Sequence, residues 1–401
     1  MHERFIARQP IFDHRLKLFA YELLFRGSSK NVFEPRVNAS SSVIVESTML
    51  FDLQSLIGPA KAFINADEEA LIKGAVRLLP PDRIIVEILE TVNPSPEVVQ
   101  ACQSLKGDGY IFAIDDFVDH PKWTPLIGLA SYIKVDFRAT TTDVRRSIAQ
   151  RYRPKNIGLI AEKVETAEDV ADARGLGYAF FQGYFFCKPS MTQSRDIPGN
   201  KLNYLRLLEA ISAPELNLDL LESILKQEPS LVYKLLRHLN SPLLGLRTEI
   251  SSIRDGIQLL GEIEFRRWVS IVAVVAMAGD KPPELIRTAL TRAYFCEEMS
   301  NPAGLTQNKS DLFLMGLLSV TDALLDRSIG DILSHLPVSA DVRTALCGGS
   351  NGLRNVYETL LSYERADWAA LSKIIERMAS IEEQIPICYM NAANRASSIA
   401  T

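Results

Sequence analysis

The sequence predicts a (β/α)₈-type barrel over residues 1–195 and an all-helical domain over residues 200–401. Short apolar runs alternate with amphipathic segments as far as about residue 190, which is typical of repeated strand and helix units. From about residue 200 onwards the pattern is helical throughout, and Pro and Gly break it into separate helices. A chain of 401 residues, 47% of them hydrophobic, is long enough for two domains with separate cores.

Seven apolar runs predict the strands of the barrel. In order they are "LKLFAYELLFRG" from Leu16, "AKAFINAD" from Ala60, "RIIVEILET" from Arg83, "GYIFAIDDF" from Gly109, "SYIKVDF" from Ser131, "NIGLIAEKVET" from Asn156 and "GYAFFQGYFF" from Gly177. The stretch "FIARQPIFD" before them is a candidate for a first strand. Amphipathic segments between the runs, such as Pro96 to Lys106 and Thr142 to Arg151, predict helices that cover the barrel.

Another seven segments predict the helices of the second domain. They are "NKLNYLRLLEAIS" from Asn200, "LDLLESILKQ" from Leu218, "PSLVYKLLRHLN" from Pro229, "EIEFRRWVSIVAVVAMA" from Glu262, "PELIRTALTRAYFCEEMS" from Pro283, "SDLFLMGLLSVTDALL" from Ser310 and "DWAALSKIIERMASIEEQ" from Asp367. The change of pattern places the domain boundary between Ser190 and Asn200.

The charge and the cysteines exclude several classes of protein. Forty-four basic and 49 acidic residues give a net charge of -5, which is not the charge of a protein that binds nucleic acid or an anionic membrane through its whole surface. The longest strongly apolar run, "VSIVAVVAMAG" from Val269, is far shorter than the roughly 20 residues that span a bilayer. Five scattered cysteines without a C-x-x-C pair predict reduced thiols in the cytoplasm.

Polar residues follow the apolar part of almost every predicted strand. They are Glu22, Asn65, Glu87, Glu90, Asp115, Asp116, Lys134, Asp136, Glu162, Glu165 and Gln182. A single residue of this kind is ordinarily a helix cap or a turn residue. The carboxyl ends of barrel strands meet at one mouth, however, and so many carboxylates in one place repel each other unless cations lie among them. The sequence therefore predicts a cation site at the mouth.

The residue types favour a hard divalent cation. None of the five histidines lies at a ligand spacing from another, and all-oxygen ligation favours Mg²⁺ or Mn²⁺ over zinc. Asp115 and Asp116 are adjacent, so they face opposite ways within a strand and can both turn inward only where the strand gives way to its loop. A two-metal carboxylate site at a barrel mouth suits in-line attack of an activated water on a phosphodiester.

These residues, in this order, resemble the EAL domain, the phosphodiesterase that linearises the bacterial second messenger cyclic di-GMP. The signature tract of the family appears here as Glu22-Leu23-Leu24, and the likeness covers roughly residues 5 to 190. It implies that Glu22, Lys134 and Glu162 are catalytic, with Lys134 helping to hold the attacking water and Glu162 accepting its proton. It also implies a phosphate contact at Arg26 and residues that orient the site at Gln182, Glu90 and Glu165. The implied metal ligands or their supports are Glu22, Asn65, Glu87, Asp115, Asp116 and Glu162.

Two positions depart from the pattern of the family. Val118 stands where Gly is expected after the paired aspartates, and a β-branched residue does not adopt the positive φ that Gly allows, so this loop is predicted to follow another path. Lys163 stands where Gly is usual in "EKVET". The departures leave three functions open: an active phosphodiesterase, a receptor that binds cyclic di-GMP without cleaving it, and a scaffold.

The helical half resembles the HDOD domain, a relative of the HD phosphohydrolases that has lost their metal-binding His-Asp pair. In "DLFLMGLLSVTDALL" Ser319 and Val320 stand where those enzymes have His and Asp, and Asp322 has no histidine near it in the sequence. The resemblance implies a non-catalytic module that binds a protein partner or regulates the barrel, or else a helical cap that only stabilises it. Over nearly the whole chain the match is to proteins that pair an EAL domain with a C-terminal HDOD domain, and a homodimer is among the expected states.

Overall fold

The structure is a computed structural model that describes residues 4–27, 53, 57–188, 199–226, 257–258, 260–376, 378 and 381–399. The predicted helix "PSLVYKLLRHLN" and most of the predicted boundary segment lie outside these residues. The chain divides into two compact units, one of Met1–Phe186 with Ser362–Trp368 and the other of Cys187–Leu361 with Ala369–Thr401. The pattern of the sequence does not predict that residues 362–368 belong with the barrel.

Eight strands form a closed barrel in the first unit, in the order of the sequence. They are β1 (Arg4–Asp13), β2 (Leu18–Gly27), β3 (Lys61–Ala66), β4 (Ile84–Ile88), β5 (Ile111–Ile114), β6 (Ala130–Asp136), β7 (Gly158–Glu162) and β8 (Phe180–Gln182). All seven predicted runs form strands, and the candidate first strand is β1, so the predicted barrel is confirmed.

The first strand runs antiparallel to both of its neighbours, whereas β2 to β8 are parallel. The reason is the connection between β1 and β2, which is a tight turn and not a crossover helix. Asp13 Oδ1 closes this turn by accepting hydrogen bonds from Arg15 N at 2.8 Å and Lys17 N at 2.9 Å. The start of β1 therefore lies beside the end of β2, at the same end of the barrel as the carboxyl ends of the parallel strands.

Helices follow the strands as predicted. They are α1 (Glu68–Ile72), α2 (Pro96–Gly107), α3 (Thr124–Ile127), α4 (Thr142–Tyr152) and α5 (Ala167–Leu176). Ser95 and Thr141 cap the first backbone N–H groups of α2 and α4, and Thr166 forms a capping box with Asp169 at the start of α5. The two helices predicted by residue number agree with α2 and α4 to within one residue at the C-terminus.

The interior of the barrel consists of an apolar layer with a polar layer next to it. The apolar layer contains Ile11, Ala20, Phe63, Ile85, Ala113 and Ile160, with Tyr132 and Phe180 packed against them. On each parallel strand a polar residue follows the apolar one at a spacing of two, which keeps it on the same face. These pairs are Ala20 and Glu22, Phe63 and Asn65, Ile85 and Glu87, Ala113 and Asp115, Tyr132 and Lys134, Ile160 and Glu162, and Phe180 and Gln182.

The described residues of the C-terminal half form helices and no strands. These are α6 (Gly199–Ser212), α7 (Leu218–Lys226), α8 (Glu262–Met277), α9 (Pro283–Glu298), α10 (Lys309–Leu318), α11 (Thr321–Leu325), α12 (Ile329–Ser334), α13 (Ala340–Leu346), α14 (Gly352–Glu364), α15 (Trp368–Ile375) and α16 (Gln384–Ile399). Helix α9 packs against both α10 and α16. It crosses α10 at Gly316, where a Cβ atom would come within 2.4 Å of Arg292 O, so only glycine permits this approach. The predicted all-helical domain is confirmed for this part of the chain.

Tyr363 attaches the segment Ser362–Trp368 to the first unit. Its hydroxyl accepts a hydrogen bond from Ile6 N at 3.1 Å and donates one to Ile6 O at 2.9 Å. Its ring is fully buried and lies edge-on to Trp368, with the ring centroids 5.8 Å apart.

None of the helices that the structure describes has the length and apolar character needed to cross a bilayer.

Candidate active site

Lys134 lies at the centre of the polar layer and is fully buried. Its Nζ is 3.2 Å from Glu22 Oε2, 2.8 Å from Glu162 Oε1 and 3.3 Å from Asp115 Oδ1, and it also contacts Glu87 Oε1. The five side chains come from β2, β4, the end of β5, β6 and β7. Closure of the barrel thus brings together residues that lie far apart in the sequence.

One ammonium does not balance this many carboxylates. Burial raises the pKa of Glu162 to about 8, and the charges of Asp115 and Glu22 act in the same direction against that of Lys134. Burial likewise raises the pKa of Glu87 well above its ordinary value. Burial alone would lower the pKa of Lys134, but the carboxylates raise it well above its ordinary value, so Lys134 is a cation at neutral pH. The site still has an excess of negative charge, which favours the binding of a further cation.

Unpaired oxygen atoms show that a divalent cation fits these residues. Four buried acceptors have no hydrogen-bond donor: Asn65 Oδ1, Glu87 Oε2, Glu162 Oε2 and Gln182 Oε1. Carboxylate oxygens of Glu22, Glu87 and Glu162 lie within 4.8 Å of one another, and so do those of Glu90, Asp115 and Asp116. Carboxylate and amide oxygens are the ligands that Mg²⁺ and Mn²⁺ prefer. Within the described part of the chain, groups of this kind occur only at these two places.

The second group depends on the backbone that follows β5. The strand ends at Ile114, so Asp115 keeps the inward direction of the strand while Asp116 begins the loop. Asp116 has a φ of 39°, a left-handed conformation that turns the chain immediately after the strand. Phe117 N then donates to Lys134 O at 2.9 Å, which attaches the start of the loop to β6.

The loop after the paired aspartates is packed through its aromatic residues. Phe117 and Trp123 are buried, and the ring of Phe117 lies edge-on to Tyr152, 5.3 Å between centroids. Asp119 accepts a hydrogen bond from the Tyr152 hydroxyl at 2.6 Å. Val118 is 62% exposed and is not among the residues with positive φ. The altered path that Val118 implies relative to the EAL family stays a prediction.

Lys163 lies beside the second group. It has a φ of 54°, and its ammonium contacts Asp136 Oδ2 and lies 3.9 Å from Asp116 Oδ1. Burial alone would lower the pKa of Lys163, but the bond to Asp136 and the charges of Asp116 and Asp136 raise it above its ordinary value. Asp136, whose other oxygen accepts from Arg138 N at 2.6 Å and Ala139 N at 3.0 Å, is a fixed partner for this lysine.

A pair of glutamines completes the polar layer. Gln182 Nε2 donates to Glu22 Oε2 at 2.5 Å and to Gln9 Oε1 at 3.3 Å. Gln9 Nε2 in turn donates to Glu364 O at 3.4 Å, within the same compact unit. Gln9 is not among the polar residues that the sequence predicts for the site, although its spacing of two positions from the core residue Ile11 could have indicated it.

The remaining predicted site residues lie in three different places. Glu90 contributes to the second group, and its carbonyl oxygen accepts from Lys122 Nζ at 2.8 Å. Glu165 is exposed, 3.6 Å from an Arg138 nitrogen, and is not part of the buried group around Lys134. Arg26 belongs to β2, but its side chain lies outside the described part of the chain.

In the second unit an arginine approaches the position where an HD enzyme has its histidine. Arg292 Nη1 donates to Ser319 Oγ at 3.3 Å, and Ser319 Oγ donates to Gly316 O at 2.7 Å. Burial raises the pKa of Asp322, against the opposing charge of Arg292. A guanidinium therefore lies beside Ser319.

Comparisons with known proteins match both halves of the chain. The family model of the EAL domain matches residues 41–189, and that of the HDOD domain matches residues 197–325. The cyclic di-GMP phosphodiesterase CdgJ of Vibrio cholerae is 34% identical over 381 residues, which cover 93% of this chain and 88% of that protein. The uncharacterized protein YuxH of Bacillus subtilis is 31% identical over 398 residues, which cover 97% of each.

Among solved structures, one similar chain is the YkuI protein of Bacillus subtilis, which has an EAL domain and was crystallised with cyclic di-GMP and calcium. It is 18% identical, the alignment covers 65% of this chain and 73% of that chain, and the TM-score is 0.39.

Proposed function

Since the chain belongs to the family of proteins in which an EAL domain precedes an HDOD domain, we propose that its barrel hydrolyses cyclic di-GMP to the linear dinucleotide. The name of the relative CdgJ supports the substrate and the reaction. The observation that carries the proposal is the buried ammonium of Lys134 among four carboxylates at the mouth of the barrel, with unpaired oxygen atoms beside it.

The site is proposed to work with Mg²⁺ or Mn²⁺. The residues that would hold the cations are Glu22, Asn65, Glu87, Asp115, Asp116 and Glu162. When bound, such cations supply positive charge against the phosphate and lower the pKa of water. Every one of the proposed ligand atoms is an oxygen, and the cysteines and histidines of the chain are absent from both acidic groups in the described residues.

The other side chains of the site orient the reactants. Lys134 can donate a hydrogen bond to the attacking water. Glu162, once a bound cation has displaced its proton, is proposed to accept the proton of that water. Gln182 holds Glu22 in place through its amide. Arg26 is proposed to bind a phosphate, which a guanidinium contacts through two parallel hydrogen bonds.

Glu90 and Glu165 are proposed to orient the site from the loops after β4 and β7. Glu90 can act directly, because its carboxylate belongs to the second acidic group. Glu165 is proposed to act through the loop that carries it, which its backbone N–H fixes by donating to Asp169 at 3.0 Å.

A receptor that binds cyclic di-GMP without cleaving it is the second candidate function. The observation that favours it is Lys163, whose charge lies where a second cation would have to compete with it.

An assay of cyclic di-GMP hydrolysis with Mn²⁺ separates the two functions, with Glu22→Gln as the matched inactive variant. Turnover by the parent protein and a loss of at least about a hundredfold in the variant supports the enzyme. Tight binding in calorimetry without turnover supports the receptor, and no binding leaves a scaffold.

The helical domain is proposed to bind a protein partner or to regulate the barrel, without hydrolase activity of its own. The contact between Arg292 and Ser319 supports the second part of this proposal.

A cytoplasmic location is proposed from the five cysteines, all of which are free thiols in the structure. Dimerisation is proposed only from the resemblance to the family, and analytical ultracentrifugation with and without cyclic di-GMP tests it.

A further inference from the structure

Lys163 is held in place by the backbone on both sides of it. Phe137 N donates to Glu162 O at 3.1 Å, and Val164 N donates to Gln182 O at 3.0 Å, so β6 and β8 fix the peptides that flank the lysine. The φ of 54° is a conformation that a residue with a Cβ atom adopts only at a cost in free energy. The neighbouring strands therefore impose the position from which the side chain of Lys163 extends.

Asp136 then determines where the ammonium lies. One of its oxygens is occupied by two backbone N–H groups, and the other contacts Lys163 Nζ. The side chain of Lys163 is about half exposed, at 55%, but this contact keeps its charge 3.9 Å from Asp116 Oδ1. Asp116 itself belongs to the second acidic group with Glu90 and Asp115.

We infer that Lys163 is a built-in cation of the second acidic group, and that it weakens the binding of a divalent cation at that group by competing for Asp116. The inference rests on the proposed cation site. Lys163 supplies a single charge from the rim of the site, so it offsets the repulsion between Asp115 and Asp116 only in part. The number of cations bound at a given concentration thus depends on a lysine that is not itself a metal ligand.

Titration of the metal-free full-length protein with Mn²⁺ tests the inference without an activity measurement. Calorimetry and the electron paramagnetic resonance signal of free Mn²⁺ report the number and the affinity of the sites. We expect Lys163→Gln to tighten the weaker site about tenfold, which corresponds to about 1.4 kcal/mol. Lys163→Arg keeps the charge and should bind Mn²⁺ as the parent does. Lys73→Gln removes a lysine that is paired with Glu69 at 2.6 Å on α1, and should change nothing.

Two further variants separate charge from backbone and locate the effect. Lys163→Gly removes both the charge and the strained φ. If Mn²⁺ affinity increased in Lys163→Gly but not in Lys163→Gln, the backbone would be the cause and the inference would be overturned. In the double variant with Asp116→Asn the gain should disappear, because the competing carboxylate is gone. A gain that persists there also overturns it. Two Mn²⁺ sites of unchanged affinity in every Lys163 variant refute the inference alone, whereas no Mn²⁺ binding in any variant refutes the proposed metal site with it.

Discussion

Replacing Lys134 with Met removes the one ammonium that lies among Glu22, Glu87, Asp115 and Glu162. Methionine has a similar length, so the change leaves little space unfilled and tests the charge. Loss of one partner of a buried ion pair costs about 3–5 kcal/mol, because the remaining charges stay buried without compensation. For a barrel of this size that corresponds to a fall of about 6–20 °C in the midpoint of thermal unfolding.

The effect of Lys134→Met depends on pH in a direction that the pKa values determine. The pKa of Glu162 in the folded protein, about 8, is above its ordinary value of 4.5. Between these values the folded state binds more protons than the unfolded state, so stability falls as pH rises. Without Lys134 the pKa values of Glu87 and Glu162 rise further, so the folded state keeps their protons to higher pH and loses more stability as pH rises. The variant should therefore be closer to the parent at pH 6 than at pH 8.

Differential scanning calorimetry of the barrel transition at both pH values, in the presence of a chelator, measures this prediction. Lys73→Met is the matched control, because its lysine is paired with a carboxylate on an exposed helix surface and should shift the midpoint by less than about 3 °C. The account of the buried charge is refuted if Lys134→Met unfolds with the midpoint of the parent at pH 8. An equal difference at both pH values would refute the part that assigns protons to Glu87 and Glu162.

Three other changes probe the rest of the molecule. Uptake of Mn²⁺ at pH 7 should release protons, because the pKa of Glu162 is about 8 and a metal ligand must be deprotonated. Calorimetry in two buffers of different ionisation enthalpy measures the proton release, and heats that do not depend on the buffer would contradict this prediction. Gly316→Ala should destabilise the second unit by about 1–3 kcal/mol, since its Cβ would meet Arg292 O. Calorimetry measures the unfolding transition of that unit, and an unchanged midpoint would contradict the close crossing of α9 and α10. Tyr363→Phe leaves the backbone of Ile6 without two hydrogen bonds and should lower the stability of the barrel by about 1–3 kcal/mol; Tyr110→Phe, which loses one bond of 2.6 Å to Leu79 O, should cost less.

The barrel and most of its polar layer could be predicted because their signals are local. A parallel strand in a closed barrel is apolar, and its last inward residue lies two positions beyond the last core residue, as with Ile85 and Glu87. The adjacent pair Asp115 and Asp116 likewise carries its own signal, because two like charges at a strand end need a turn in the backbone, and the positive φ of Asp116 supplies it. The apolar pattern did not predict the antiparallel direction of β1, because a strand has the same pattern in either direction.

The apolar runs and the polar residues at their ends predict which residues form strands, and that an oxygen-rich, negatively charged mouth results. Which side chains meet at that mouth depends on how the whole chain folds. Gln182 and Gln9 are 173 positions apart, and Tyr363 and Ile6 are 357 positions apart. Lys163 contacts Asp136 across 27 positions. No local pattern encodes such contacts, because they arise from barrel closure and from the return of residues 362–368, which are set by packing over the whole chain.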